Sequence, residues 1–365
     1  MKKIAVIGNS VTAIKTIEEL KAQGYAAGEE IEAIFISPEN TYPYFRHQLY
    51  NLPEKKITNN KILYRNTADY EKEKISFIFD KKITRVNFKR GRITLDDKEQ
   101  IDYSLLLLAD MPQAPFFGIK GANKNGLYNI KRLSDINAFL KVLPAIETIL
   151  VQSDQLAGLK AALTFAVMPA NPPRETILVT SRKNILSGLV SEADTVALEA
   201  LVSQTGLRII TESQIAEILG DNDAKAVRLH GQNTKVLGCQ AILTDADVPD
   251  LRLFKETELQ HNQRVVVNQN YQTNFDNVFA LDAVCDSITF NDWDISLAYP
   301  DVLQEHSKII THAILKKEYV RQTPALAWEM EAGSEKIAFS ASFDGSQPLY
   351  PLQAQFNKQE AAVNA

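Results

Sequence analysis

Lys2-Lys3-Ile4-Ala5-Val6-Ile7-Gly8-Asn9-Ser10-Val11-Thr12-Ala13 opens the chain, and its reading decides the fold. The unbroken apolar run Ile4-Ala5-Val6-Ile7 predicts a strand buried on both faces. Gly8 predicts a tight turn, and a helix follows over 11–22. A strand that turns sharply into a helix leaves free backbone N–H groups at the helix start. Those groups and the helix dipole favour an anion such as a pyrophosphate.

Working outward, Ile31–Ile36 reads as a second strand that ends at Ser37-Pro38-Glu39-Asn40. With the first strand and helix it makes one βαβ unit. Residues 42–49 read as a loop entering a short helix, and 75–79, 82–88 and 92–95 as an antiparallel meander. Residues 103–109 predict a fully buried strand, after which Pro112 and Pro115 break the chain at a domain crossing. A second α/β unit begins near 148. It has strands at 148–151, 176–180 and 207–210, helices at 156–167 and 192–204, a hairpin at 226–237 and a buried strand at 241–245. The last strand and turn of the first domain fall at 277–283. Beyond 287 the character changes: 296–317 reads as helix, 336–342 as strand, and 353–365 as a polar, frayed tail.

Composition limits the functions available. The chain has 365 residues, 45% apolar and 23% charged, with net charge −5. No basic face is announced, so nucleic acid is not an expected partner. No apolar run has the length of a membrane span, and the N-terminus enters the first strand directly; the expectation is a cytoplasmic protein. Cys239 and Cys285 are far apart, which excludes a C-x-x-C motif and a cysteine-built iron–sulfur site within this sequence. His230, His261, His306 and His312 lack metal-ligand spacing, so no metal is expected. Glycine is scarce, 15 of 365, or about 4% against an average of roughly 7%.

This order of elements resembles the FAD- and NAD(P)-dependent pyridine nucleotide-disulfide oxidoreductases, in the branch of NADH:rubredoxin reductase and the nitrite-reductase flavin domain. The resemblance implies an α/β fold with two Rossmann-like domains of glutathione-reductase type, the second inserted in the first, and a small α+β domain at the C-terminus. The implied division is 1–115 with 243–286 for the FAD-type domain, 116–242 for the NAD(P)-type domain, 287–352 for the C-terminal domain and 353–365 for a flexible tail. Gly8-Asn9-Ser10-Val11-Thr12-Ala13 is similar to the G-N-S-A-A-G form that holds the FAD pyrophosphate. Gly8 would make the turn, Ser10 would approach the phosphate, and Ala13 would let helix and strand pack closely. Glu39 lies just beyond the place of the ribose-binding acid, and a solvated loop carboxylate is an equal reading of it. Tyr42-Pro43-Tyr44-Phe45-Arg46-His47-Gln48-Leu49 is similar to P-Y-x-R-P-x-L, which assigns Arg46 to the diphosphate and puts His47 in place of a proline.

The departures are as informative. Leu107-Leu108-Ala109-Asp110-Met111-Pro112 stands for L-L-A-T-G-x; it keeps Ala109 but has Met111 for the glycine beside FAD. Leu243-Thr244-Asp245-Ala246-Asp247-Val248-Pro249 stands for a second A-T-G-x-x-P, again without glycine. In Phe279-Ala280-Leu281-Asp282-Ala283-Val284, Ala283 aligns with the family's ribityl-binding aspartate; Asp282 is one residue early and substitutes only if the turn re-registers. Val151-Gln152-Ser153-Asp154-Gln155-Leu156-Ala157-Gly158-Leu159-Lys160 stands for V-V-G-G-G-L-L-G-L-E, with one glycine left and the charge of the glutamate reversed. Arg182 and Lys183 replace the acid expected to hold an NADH ribose.

The candidate cofactor residues are therefore Gly8 to Ala13, Glu39, Arg46, Ala109 and Asp282, with no catalytic acid, base or cysteine to name. The expected activity is that of an electron-transfer flavoprotein or subunit that binds FAD, with weak or no NAD(P)H binding and a redox protein partner (rubredoxin, ferredoxin or an iron–sulfur subunit). The alternative is a cofactor-free pseudoenzyme that acts as a structural or partner-binding subunit of a redox complex.

Overall fold

The computed structural model describes residues 2–25, 30–37, 39–111, 113–231, 235–285, 300–322, 326–332, 335–341 and 352–358. Two five-stranded parallel sheets organise the chain. The first runs Val278–Ala280, Leu105–Leu108, Lys2–Ile7, Ile31–Ile36, Ile75–Ile78. The second runs Arg208–Ile210, Glu175–Val179, Thr148–Gln152, Ala241–Thr244, Leu127–Asn129. The expected α/β fold is present, and a three-stranded antiparallel sheet of Leu326–Ala332, Glu335–Ala341 and Gln353–Lys358 closes the chain.

Strand character follows burial. Leu105–Leu108 lies between Lys2–Ile7 and Val278–Ala280, paired in parallel to both, and all its residues are buried. Such a strand has no solvated face, so its sequence does not alternate. The helix Val11–Ala22 starts at Ser10, whose side chain caps the N–H of Ala13. It turns Ile14, Ile17 and Leu20 into the core of the first sheet. The helix Leu156–Val167 carries Leu159, Ala162, Leu163 and Phe165 into the core of the second.

Several expectations need correction. Residues 353–358 are a strand, not a frayed tail. Leu352 is buried, and Ala354 and Phe356 pack from it on the core around Leu156–Val167, so this polar-looking segment alternates with period two. Residues 359–365 and Trp293 lie outside the described residues, as does the side chain of Trp328. The strand Ala241–Thr244 belongs to the second sheet, so a domain boundary at 243 cuts through it. A helix at Leu133–Val142 and strands at Leu127–Asn129 and Ser213–Leu219 carried no expectation.

The helix Pro300–Ile314 packs against Val11–Ala22 and buries His306 beside Tyr271, ring centroids 5.3 Å apart. Burial, aided by the Arg321 charge, pushes the His306 pKa down to about 3 from an ordinary 6.5. The folded value lies below the unfolded one, so this group's stabilising contribution is complete above pH 6.5 and is lost as pH falls toward 3. Urea midpoints should therefore drop between pH 6.5 and pH 4, and His306→Gln should show a shallower drop over that interval.

Candidate functional site

The first glycine turn is built as the motif requires. Gly8 has φ +114°, and a Cβ there would lie 2.2 Å from the Asp110 carbonyl oxygen. Only glycine lets the turn rest on the Ala109–Met111 segment. Ala109 is wholly buried and its N–H donates to Ile7 O, 2.8 Å, so it serves the sheet. Met111 is buried too, which fills the place of the expected glycine with a side chain.

Asn9, Ser10, Val11, Thr12, Arg46 and Asp282 line one cavity of about 40 Å3, together with Tyr44, Asp247, Ala283 and Leu303. Residues drawn from three distant motifs thus meet at the start of Val11–Ala22. Ala13 lies beneath them, fully buried, donating its N–H to Ser10 Oγ at 3.2 Å. Asn9 Nδ2 donates to Thr41 O at 3.0 Å, while its Oδ1 is buried with no hydrogen-bond partner.

Asp282 stays in the register of the glycine it replaces. It adopts φ 51°, the left-handed form that its place in the motif gives to glycine. Its carboxylate accepts from Thr12 Oγ1 at 2.7 Å and from Ser10 Oγ. A carboxylate is thus held at the helix start by two side chains of the phosphate motif. Burial raises its pKa, opposed by those two hydrogen bonds.

Arg46 is committed as well. Its guanidinium pairs with Asp110, which is 5% exposed, and lies 3.6 Å from Asp247. Asp110 and Asp247 flank the two replaced glycines, and sequence reasoning missed both. The available signal was an acid at the threonine position of the first A-T-G motif, in a chain that also supplies the family arginine.

Glu39 is buried rather than solvated. Its carboxylate accepts from Tyr44 Oη at 2.9 Å and from Ser134 Oγ at 3.0 Å, and Tyr44 Oη accepts from Leu133 N at 3.1 Å. Burial, then the Glu39 charge, raises the Tyr44 pKa well above its ordinary value, which keeps the phenol a donor. Both carboxylate oxygens are spent on a latch to the helix Leu133–Val142. His47 lies on the neighbouring turn, where burial and the Lys160 charge push its pKa down to about 4.

The second unit repeats the pattern. Asp245 Oδ2 accepts from Gly158 N at 3.1 Å and from Ser153 Oγ, so a carboxylate again meets the start of the helix, here Leu156–Val167. A Cβ on Gly158 would lie 2.0 Å from Ser153 Cβ; the surviving glycine makes room for the serine. Asp154 accepts from Thr180 Oγ1 at 2.6 Å and Ser181 N at 2.7 Å. Arg182 donates to the carbonyls of Asp154 and Ser187. Lys160 Nζ donates to Glu329 O at 3.2 Å, on the C-terminal sheet. Among the described residues no group of three or more His, Cys, Asp or Glu could hold a metal, and no helix is long and apolar enough to cross a membrane. Cys239 and Cys285 are buried, and burial pushes the Cys239 thiol up to about 12.

Comparison with known proteins places this geometry. The pattern of the pyridine nucleotide-disulphide oxidoreductase family matches residues 2–313. The assimilatory nitrate reductase electron transfer subunit of Bacillus subtilis (strain 168) is 22% identical over 282 residues, covering 77% of this chain. The chain spans only 35% of that protein's length. The ferredoxin–NAD(+) reductase subunit of the benzene 1,2-dioxygenase system of Pseudomonas putida is 19% identical over 330 residues, 90% of this chain and 78% of that one. Among solved structures, the covalent putidaredoxin reductase–putidaredoxin complex superposes with TM-score 0.77 at 16% identity, over 94% of this chain and 82% of that one.

Breaking the Arg46 cluster tests its weight. Arg46→Ala leaves the buried Asp110 carboxylate uncompensated and should cost about 3–5 kcal/mol by urea denaturation. Arg46→Ala combined with Asp110→Asn should recover most of that loss.

Proposed function

We propose that this chain, which belongs to the pyridine nucleotide-disulphide oxidoreductase family of flavin-dependent oxidoreductases and ferredoxin reductases, acts as a partner-binding subunit of an electron-transfer assembly. In this reading its own side chains close both dinucleotide sites. The observation that carries it is the Asp282 carboxylate on Ser10 and Thr12, where a pyrophosphate would need the helix start. Arg46, the cation for that diphosphate, already faces Asp110 and Asp247. A phosphate charge about 4 Å from one carboxylate costs about 4 kcal/mol at an effective dielectric constant near 20. That is roughly a thousandfold in affinity. The residues present therefore do not fit FAD in this arrangement, and no step is derived through it.

For NAD(P)H the same argument rests on Asp245 and Asp154, which put negative charge and filled donors in the second turn. These groups support a reading of weak or absent NAD(P)H binding. The printed functions of the relatives, an electron transfer subunit and a ferredoxin reductase subunit, support a redox protein as partner. A rubredoxin, a ferredoxin or an iron–sulfur subunit fits that role in the cytoplasm. The division of the chain follows the one proposed from sequence, with the return to the first domain moved past Thr244, the helix Pro300–Ile314 joined to that domain's core and the C-terminal sheet extended through 358.

A second reading, an electron-transfer flavoprotein with FAD in the first site, is favoured by the intact Gly8 turn and by Asn9 Oδ1, buried and unpartnered beside the cavity. It requires Arg46 to leave Asp110 and Asp282 to leave Ser10.

Protein purified without added cofactor should be colourless and should stay so after incubation with excess FAD. Flavin bands in the visible spectrum, with FAD released on denaturation, would establish the second reading instead. Asp282→Gly removes the carboxylate and suits the left-handed backbone. It should raise FAD affinity by at least about tenfold in a fluorescence titration if this charge is the barrier.

A further inference from the structure

The first sheet ends at the short strand Ile75–Ile78, which no described strand covers on its outer side. Ala33 N donates to Lys74 O and Ser37 N donates to Ile78 O, so residues 74, 76 and 78 face the sheet. Alternation then turns the backbone N–H and C=O of Ile75, Phe77 and Phe79 outward, and no described residue pairs with them. The run Ile75-Ser76-Phe77-Ile78-Phe79, in which Ile75 is buried, Ser76 exposed and the rest half-buried, contains no proline, charge or bulge. Its one protection is its length of four residues.

The ends of this run are symmetric about Phe77. Lys74, at φ 55°, and Asp80, at φ 60°, are both left-handed and both three residues from the centre. Their charges are opposite, as are those of the next residues out, Glu73 and Lys81. An antiparallel copy centred on Phe77 would set every outward backbone group opposite another: Phe77 opposite Phe77, and Ile75 opposite Phe79. It would also bring Lys74 against Asp80, and Glu73 against Lys81. A groove of about 720 Å3 runs along the edge, lined by Tyr42, Tyr70, Glu71, Lys74, Ile75 and Phe77. It lies where a second copy would place Phe79, and an aromatic side chain beside a β-branched one is a favourable cross-strand pair.

We propose that a second copy of this chain occupies the edge, joining two five-stranded sheets into one ten-stranded sheet across a two-fold axis. Within the chain Lys74 faces Glu30, Glu73 faces Arg65, Lys81 faces Asp97 and Glu99, and Asp80 accepts from Asn40; these are surface contacts that a copy would exchange across the axis, and the self-complementary order of the charges favours a copy of this chain over an unrelated strand. This dimer does not depend on whether either dinucleotide site is filled.

Sedimentation velocity on the full chain over a micromolar concentration series should show a reversible dimer. Lys74→Glu and Asp80→Lys should each weaken it by about tenfold, since symmetry places two like-charge pairs in the interface. The combined variant should restore the wild-type dissociation constant. Far-UV circular dichroism checks that each variant is folded. A wild-type chain that stays monomeric would overturn the proposal and leave the edge to a different partner. A dimer indifferent to both single variants, or a combined variant as weak as either one, would overturn it too.

Discussion

One cation holds the centre of this molecule together. Arg46 reaches from its short helical turn to Asp110 on one returning loop and toward Asp247 on another. Those loops follow the strands Leu105–Leu108 and Ala241–Thr244, one from each parallel sheet. The guanidinium thus joins two units that also meet through the Glu39–Tyr44 latch and the packing of Tyr44, Leu49 and Tyr50 on the second core. Desolvated acids of this kind are costly unless paired, so the three groups are bound to one another by the penalty each would suffer alone. Arg46, Asp247 and Asp282 line the same small cavity, and the Gly8 turn rests on the backbone of Asp110.

The two units show the same physical solution reached with different residues. Asp282 meets the start of one helix through serine and threonine hydroxyls, and Asp245 meets the start of the other through a serine hydroxyl and a backbone N–H. A helix N-terminus carries unsatisfied donors and a partial positive charge wherever it occurs. If no bound anion supplies the balancing charge, a nearby carboxylate can.

Most of the fold was legible because burial writes directly into sequence. Ile4–Ile7, Leu105–Leu108 and Ala241–Thr244 are unbroken apolar runs, and parallel strands covered on both faces must be so. The strand Gln353–Lys358 was hidden because only alternate residues face a core, and Ala354 and Phe356 are modest signals among glutamines. At the site, the turn of Gly8 and the approach of Arg46 to the start of the first helix were legible from motif order, while the cap of Ser10 was not. Nor was the pairing of the acids. Glu39 and Asp110 are ordinary acids in sequence, and only tertiary contact shows that Tyr44, Ser134 and Arg46 have claimed them. Which acid neutralises which donor is decided by distances across the chain, and local pattern carries no record of that.

The latch of Glu39, Tyr44 and the helix Leu133–Val142 limits what can change at this position. A carboxylate on an open loop can be replaced at little expense, since nothing else leans on it. Here Glu39 holds a phenol and a hydroxyl of a neighbouring helix, and removing or redirecting it would strand both in the interior. Each such bond works as a brace, and any substitution of Glu39 passes through a less stable chain.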